Sequence, residues 1–188
     1  ETRWSLSKGN VEAYLTEIKR LQAEYAGQIE LYVGMEIDYL NDDWGPAVEY
    51  FQRMPLDYRI GSVHLVTEEQ TAEIMDMDGK FEDFRENLRL IFHDDLKYLV
   101  EAYFKASSRM VELGGFDFVA HLDKISMNGS LIDSTLMEQE WYNRLLWDYM
   151  SLIAKKGVMV EVNTKAYTKK GMMFPNVKYF KWLKELNI

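Results

Sequence analysis

The chain has 188 residues, a formal net charge of −9 and no cysteine. With 47% apolar and 28% charged residues it can form a core, and its length predicts one domain or most of one. The lack of cysteine excludes disulfide scaffolds, thiolate zinc sites and cysteine nucleophiles. No apolar run approaches the roughly 18 residues of a membrane span, and the polar residues 1–4 do not open a signal peptide. We therefore expect a cytoplasmic protein without a membrane partner.

The acidic charge also bears on the ligand. No stripe of Lys and Arg is available to follow a nucleic-acid backbone, so we do not expect nucleic acid to be a partner. The acidic charge does not exclude a small anionic substrate, because the positive charge of a bound metal can exceed the negative charge of nearby carboxylates.

The first half of the chain alternates helix and strand patterns. Apolar spacing predicts a helix over 11–25 with Asn10 as N-cap, then a strand over 29–36 rich in branched and aromatic residues. A short helix over 47–54 and a strand over 58–66 follow. The polar stretch 67–80 is predicted to be a long loop with some helix.

The second half continues this alternation. Residues 81–113 are predicted to be helical with a break at 93–95, where Asp94 or Asp95 caps the second helix. A strand over 116–121, a helix over 134–156 from Ser134 to a stop at Gly157, a strand over 158–163 and a helix over 176–186 follow. Alternating elements predict βαβ units and a parallel sheet in an α/β fold. Four such units do not close a barrel, so we expect the fold to need pieces beyond these residues.

Each predicted strand ends in, or runs into, a polar residue that can bind metal or substrate: Glu36, His64, His121 and Asn163. Carboxyl ends of parallel strands form the active-site face of α/β folds, so these side chains would meet at one rim. Two imidazoles and a carboxylate suit a first-row divalent metal such as zinc, iron or manganese. A single His or Glu at a strand end is more often structural, but the joint pattern makes the two interpretations about equal.

Neighbouring polar residues carry weaker signals. Asp38 and Asp123 lie two residues beyond candidate ligands, where they would either orient an imidazole or act as cap and turn residues. His93 lies beside two aspartates in a helical region and is predicted to be structural or exposed.

Lysines near these residues are candidates for phosphate binding. Lys165, Lys169 and Lys170 follow Asn163, and beside a metal site they would attract phosphate. The alternative is a solvated loop. Lys124 is a further phosphate candidate.

Four segments in chain order resemble the histidinol-phosphate phosphatases of the polymerase-and-histidinol-phosphatase (PHP) superfamily. They are Gly34-Met35-Glu36-Ile37-Asp38-Tyr39, Ile60-Gly61-Ser62-Val63-His64, Ala120-His121-Leu122-Asp123 and Glu161-Val162-Asn163-Thr164. The second and fourth favour the histidinol-phosphatase branch over the polymerase-associated branch. Each motif is weak alone, but together they span most of the chain.

The resemblance implies a distorted (β/α)₇ barrel that carries up to three divalent ions, zinc, manganese or iron. It implies that Glu36 bridges two metals and that His64 and His121 complete the protein ligands of one. The family's early His-x-His and late Asp-x-His motifs are absent from this sequence. We therefore expect residues 1–188 to be a single PHP-like domain, incomplete at both ends, whose unpaired strand edges could self-associate.

The implied reaction is hydrolysis of a phosphomonoester such as histidinol phosphate, in histidine biosynthesis, by metal-activated water. No side chain is assigned as catalytic; Asn163, Lys169, Lys170 and Lys124 are the expected substrate contacts. Three alternatives remain open at this point. They are another PHP phosphoesterase or nuclease, an inactive truncated scaffold, and a mononuclear iron oxygenase with two His and one carboxylate.

Overall fold

The computed structural model describes residues 5–188. Residues 1–4, part of the argument against a signal peptide, lie outside the described residues. Six strands occur in the described part: β1 (Gly34–Asp38), β2 (Tyr58–Ser62), β3 (Leu65–Thr67), β4 (Ile74–Asp76), β5 (Phe118–Val119) and β6 (Met159–Val160). The same part holds eight α-helices: α1 (Val11–Glu24), α2 (Glu49–Gln52), α3 (Phe81–Ile91), α4 (Leu96–Leu113), α5 (Ser126–Ile132), α6 (Glu140–Lys156), α7 (Tyr167–Lys170) and α8 (Phe180–Leu186).

Four of the strands form one parallel sheet in the order β1-β2-β5-β6. Helices separate its successive strands in the chain, which confirms the predicted α/β class. The other two strands, β3 and β4, pair as an antiparallel hairpin that follows β2. No helix among residues 5–188 is long and apolar enough to cross a bilayer.

The core lies between this sheet and the two longest helices, α4 and α6. Both helices turn one apolar face inward, as their sequence spacing predicts. Fully buried side chains of the core include Leu99, Tyr103, Tyr142, Leu146 and Ile153. This packing fixes the strands whose carboxyl ends carry the polar residues singled out in the sequence.

Two predicted helix boundaries are confirmed in atomic detail. The break at 93–95 separates α3 from α4, and the Asp95 carboxylate accepts a hydrogen bond from the Tyr98 backbone N–H at 2.9 Å. Gly157 ends α6 in the left-handed region at φ +67°, a conformation that costs glycine least.

Several predicted elements were wrong in extent. The stretch 67–80 is largely the β3–β4 hairpin and its turns rather than a loop with helix. The first strand begins at Gly34 instead of residue 29, because its partner β2 begins opposite it at Tyr58. The second strand ends at Ser62. Two residues later the backbone N–H of His64 bonds to the Asp38 side chain and not to a neighbouring strand.

The helix predicted over 134–156 begins at Glu140, and Ser134 does not cap it. A turn precedes it because the Asp133 carboxylate accepts bonds from the backbone and hydroxyl of Thr135. Asn10 ends a short 3₁₀ turn before α1 and its side chain forms no capping bond. The short helices α5 and α7 were not predicted.

Candidate metal centre

Strand β1 contributes two carboxylates to one face of the sheet. Side chains alternate along a strand, so Glu36 and Asp38 point to the same side while Ile37 points to the other and is buried. Glu36 lies inside β1, two residues before the strand ends at Asp38, and not at the strand end as the sequence predicted. The two carboxylates have different hydrogen-bond partners. Asp38 bonds to His64, whereas Glu36 bonds to His121.

Asp38 holds His64 in place. One oxygen, Asp38 Oδ1, lies 2.7 Å from His64 Nδ1, 3.1 Å from the His64 backbone nitrogen and 2.9 Å from Ser62 Oγ. We assign the imidazole proton to Nδ1 on this basis, because a carboxylate accepts and cannot donate. The other ring nitrogen, Nε2, then presents its lone pair towards Glu36, whose Oε1 is 3.7 Å away.

His121 approaches the same carboxylate from β5. Its Nε2 lies 3.2 Å from Glu36 Oε1, and its ring meets that of His64 edge-on with centroids 4.7 Å apart. The backbone N–H of His121 donates to Glu161 Oε2 at 3.1 Å. Its φ of +22° is unusual for a residue other than glycine, and such conformations cluster at functional sites.

The three donor atoms of Glu36, His64 and His121 lie within 4.8 Å of one another. Zinc bonds of about 2.0–2.1 Å at tetrahedral angles separate ligand atoms by about 3.3 Å, close to the two distances from Glu36 Oε1. A carboxylate facing an imidazole lone pair is repulsive unless a cation lies between them. The donor set and its spacing therefore fit a divalent ion.

The ionisation of these groups reflects their mutual contacts. The hydrogen bond from His121 lowers the pKa of Glu36, against the opposing effect of burial. Burial lowers the pKa of His64, but the hydrogen bond and charge of Asp38, with the charges of Glu36 and Asp78, outweigh it and raise the pKa overall. This electrostatic field attracts a cation, whether a proton or a metal.

Asp78, which sequence reasoning missed, connects His64 to a lysine. Its Oδ2 is 4.0 Å from His64 Nε2, and its Oδ1 is 2.9 Å from the ammonium of Lys124, whose side chain is only 12% exposed. The Met77 backbone N–H donates to the His64 carbonyl at 2.9 Å, which brings Asp78 to the site. No sequence signal pointed to it, because its position depends on the unpredicted β3–β4 hairpin.

Glu161 is the second residue that was missed. It accepts from the backbone of His121 through Oε2 and from Asn163 Nδ2 through Oε1 at 3.1 Å. Its two-residue spacing from Asn163 was a usable signal, since both side chains would share one face of the predicted strand over 158–163. Asn163 Oδ1 also accepts from the Lys165 backbone at 3.0 Å.

The remaining candidates are dispersed. Lys169 and Lys170 end α7 and are exposed, whereas Lys165 lines the cavity that also contains Glu36 and His64.

Asp123 is fully buried, and its carboxylate accepts a hydrogen bond from the Asn176 backbone at 2.9 Å instead of orienting His121. Burial raises the pKa of Asp123 to about 7. His93 is exposed between α3 and α4.

A comparison with known protein families gives the context of this geometry. The sequence pattern of the PHP domain matches residues 9–165. The chain belongs to the PHP domain family. The resemblance drawn from the four segments is thereby confirmed, and the strands that carry Glu36, His64 and His121 all fall inside the matched range.

Curated relatives of this PHP domain have related names. It is 25% identical over 171 residues to a "Probable histidinol-phosphatase" of Deinococcus radiodurans, covering 88% of this chain and 56% of that protein. It is 24% identical over 168 residues to a "Histidinol-phosphatase" of Lactococcus lactis subsp. lactis, covering 84% and 54%. The PHP domain thus spans about half the length of the curated relatives it matches.

Solved structures support the fold of this PHP domain. A candidate histidinol phosphatase, hisK, of Listeria monocytogenes superposes with a TM-score of 0.80 at 19% identity, covering 98% of this chain and 70% of that chain. The histidinol phosphate phosphatase of Lactococcus lactis, in complex with zinc, L-histidinol and phosphate, gives a TM-score of 0.59 at 20% identity, covering 88% and 57%. The parallel strands and alternating helices are therefore of the PHP histidinol-phosphatase type.

Proposed function

We propose that this PHP domain serves a metal-dependent phosphomonoester hydrolase that acts on histidinol phosphate. The observation that carries the proposal is the convergence of Glu36, His64 and His121 donor atoms within 4.8 Å. The names of the relatives and the zinc, histidinol and phosphate in the Lactococcus complex support it. A metabolic role in histidine biosynthesis and a cytoplasmic location follow from this proposal.

The three donors would hold the ion, with zinc the first choice because the Lactococcus protein binds it, and manganese or iron as alternatives. When bound, such an ion neutralises phosphate charge and makes water acidic enough to act as a nucleophile near neutral pH. A set of up to three ions, as the family resemblance implies, is part of the proposal. Asp38 keeps the proton of His64 on Nδ1, so that Nε2 stays available as a ligand.

The substrate's phosphate would meet Lys124, whose ammonium is held beside His64 by Asp78. A fixed ammonium stabilises a dianion more than a mobile surface lysine does, because less side-chain freedom is lost on binding. Asn163 donates one amide hydrogen to Glu161 and would offer its second to the substrate. Lys169 and Lys170 stay proposed contacts on charge alone, and Lys165, which lines the cavity, ranks ahead of them.

Residues 1–188 are proposed to act as one PHP-type domain. Within the described residues β1 and β6 are the edge strands of the parallel sheet, and unpaired edges favour pairing with another chain. Size-exclusion chromatography across a concentration series tests this self-association, which a constant monomer would contradict.

The experiment is phosphate release from L-histidinol phosphate by the zinc-supplemented chain. His64→Ala should abolish release, while the exposed His93→Ala serves as the matched control and should retain it. Faster cleavage of a phosphodiester than of the monoester would replace this proposal with the nuclease alternative. Zinc binding without any hydrolysis would favour the truncated scaffold.

A further inference from the structure

A cavity of about 430 Å³ leads away from the candidate metal centre. Glu36 and His64 line this cavity, and Trp44 and Tyr50 contribute aromatic side chains to it. Such a cavity is large enough for a small organic ligand. A ligand held at the metal centre would therefore share one cavity with these aromatic rings.

The aromatic rings already contact a cation of this chain. The Lys8 ammonium lies 4.7 Å from the centroid of Trp44 and 5.9 Å from that of Tyr50. These distances are within the range in which the ring face attracts a cation. Within residues 5–188, Lys8 has no carboxylate partner within 4.0 Å, so the ring faces are its main attraction.

The rings of Trp44 and Tyr50 are both held in position by contacts with neighbouring residues. The buried Phe51 meets Trp44 edge-on at 5.2 Å between centroids and Tyr50 edge-on at 5.1 Å. A backbone bond from Trp44 to the Asn41 carbonyl at 3.0 Å fixes the turn that carries the indole. The two rings are therefore preorganised, which limits the entropy lost when a ligand binds.

We propose that Trp44 and Tyr50 form a subsite for the cationic group of the substrate, an organic ammonium. Lys8 occupies the ring faces when no substrate is bound, and the substrate's cation displaces it. The proposal rests on the proposed function, which places the phosphate of the same molecule at the metal end of the cavity. It explains how an acidic protein selects a phosphomonoester that also carries a positive charge.

Calorimetric titration with L-histidinol, near neutral pH and without any turnover, tests the subsite. Tyr50→Leu and Trp44→Leu should each weaken binding about two- to fivefold, the loss expected from one cation–π contact. Lys8→Met should tighten binding by a similar factor, because it removes the competing cation. Imidazole-4-ethanol, which lacks the amine, should respond less to every one of these changes.

Tyr32→Leu is the matched control, because Tyr32 is 62% exposed and does not line the cavity. It should bind L-histidinol as the unmodified chain does. Because Tyr50 is 43% exposed, its replacement tests the subsite even if Trp44→Leu does not fold.

Three results would overturn the subsite: no L-histidinol binding by the unmodified chain, unchanged binding by Tyr50→Leu, or weaker binding by Lys8→Met. The last would make Lys8 a direct ligand contact instead of a competitor. Absence of phosphate release with normal histidinol binding would count against the proposed function alone, so the two failures are distinguishable.

Discussion

Replacement of Asp38 by asparagine isolates the contribution of one negative charge to metal binding. Asp38 Oδ1 lies within hydrogen-bonding distance of three groups, of which the His64 Nδ1 contact at 2.7 Å fixes the imidazole. An amide oxygen can still accept, but a bond to a neutral acceptor is about half as strong as one to a carboxylate. The difference is about 1.5 kcal/mol, which corresponds to about tenfold in affinity.

Loss of the negative charge also makes the His64 ring a weaker base and a weaker ligand. We therefore expect Asp38→Asn to weaken zinc binding between about tenfold and a hundredfold, the range usual for partners of metal-binding histidines. The measurement is competitive titration of zinc against a chromophoric chelator. Thermal unfolding of both metal-free chains checks that the fold is retained.

Asp43→Asn is the matched control, since Asp43 is an exposed carboxylate soon after β1 whose side chain lies outside the cavity. It should bind zinc as the unmodified chain does. Zinc affinity of Asp38→Asn within twofold of the unmodified chain would refute the role given to Asp38.

Two further predictions concern phosphate binding and acid stability. Lys124→Met should weaken binding of inorganic phosphate to the zinc-loaded chain about tenfold, because a charge-assisted contact is lost, and unchanged calorimetric affinity would contradict the role of Lys124. Glu68 accepts bonds from the Tyr98 hydroxyl and from the backbone and hydroxyl of Thr71, which lower its pKa from 4.5 to about 2. Its stabilising effect is therefore complete above pH 4.5 and is lost as the pH falls towards 2. The Tm deficit of Glu68→Gln should shrink over that interval, and a deficit independent of pH, or one shared by the exposed Glu73→Gln, would argue against it.

The sequence predicted the elements whose signals are local. The alternation of strands and helices follows from side-chain periodicity, and the helix breaks follow from Asp95 and Gly157, whose effects act within one turn. The meeting of Glu36, His64 and His121 at one rim follows from the parallel α/β class, because carboxyl strand ends meet at one edge.

The parts that were missed depend on contacts distant in the sequence. The β3–β4 hairpin is formed from three-residue strands, too short to show alternation among polar residues. Asp78 reaches Lys124 only because that hairpin bonds to the His64 carbonyl. Asp123 has the same spacing from its histidine as a ligand-orienting residue would have, yet it bonds to Asn176, 53 positions away.

The central claim is that Glu36, His64 and His121 share one metal ion. X-ray absorption at the zinc edge, combined with metal analysis, tests it on the zinc-loaded chain and on three single variants. We predict imidazole scattering in the unmodified chain and in His93→Ala, and loss of bound zinc in His64→Ala and His121→Ala. Equal zinc content in all four proteins, or a zinc spectrum without imidazole ligands, would contradict the account.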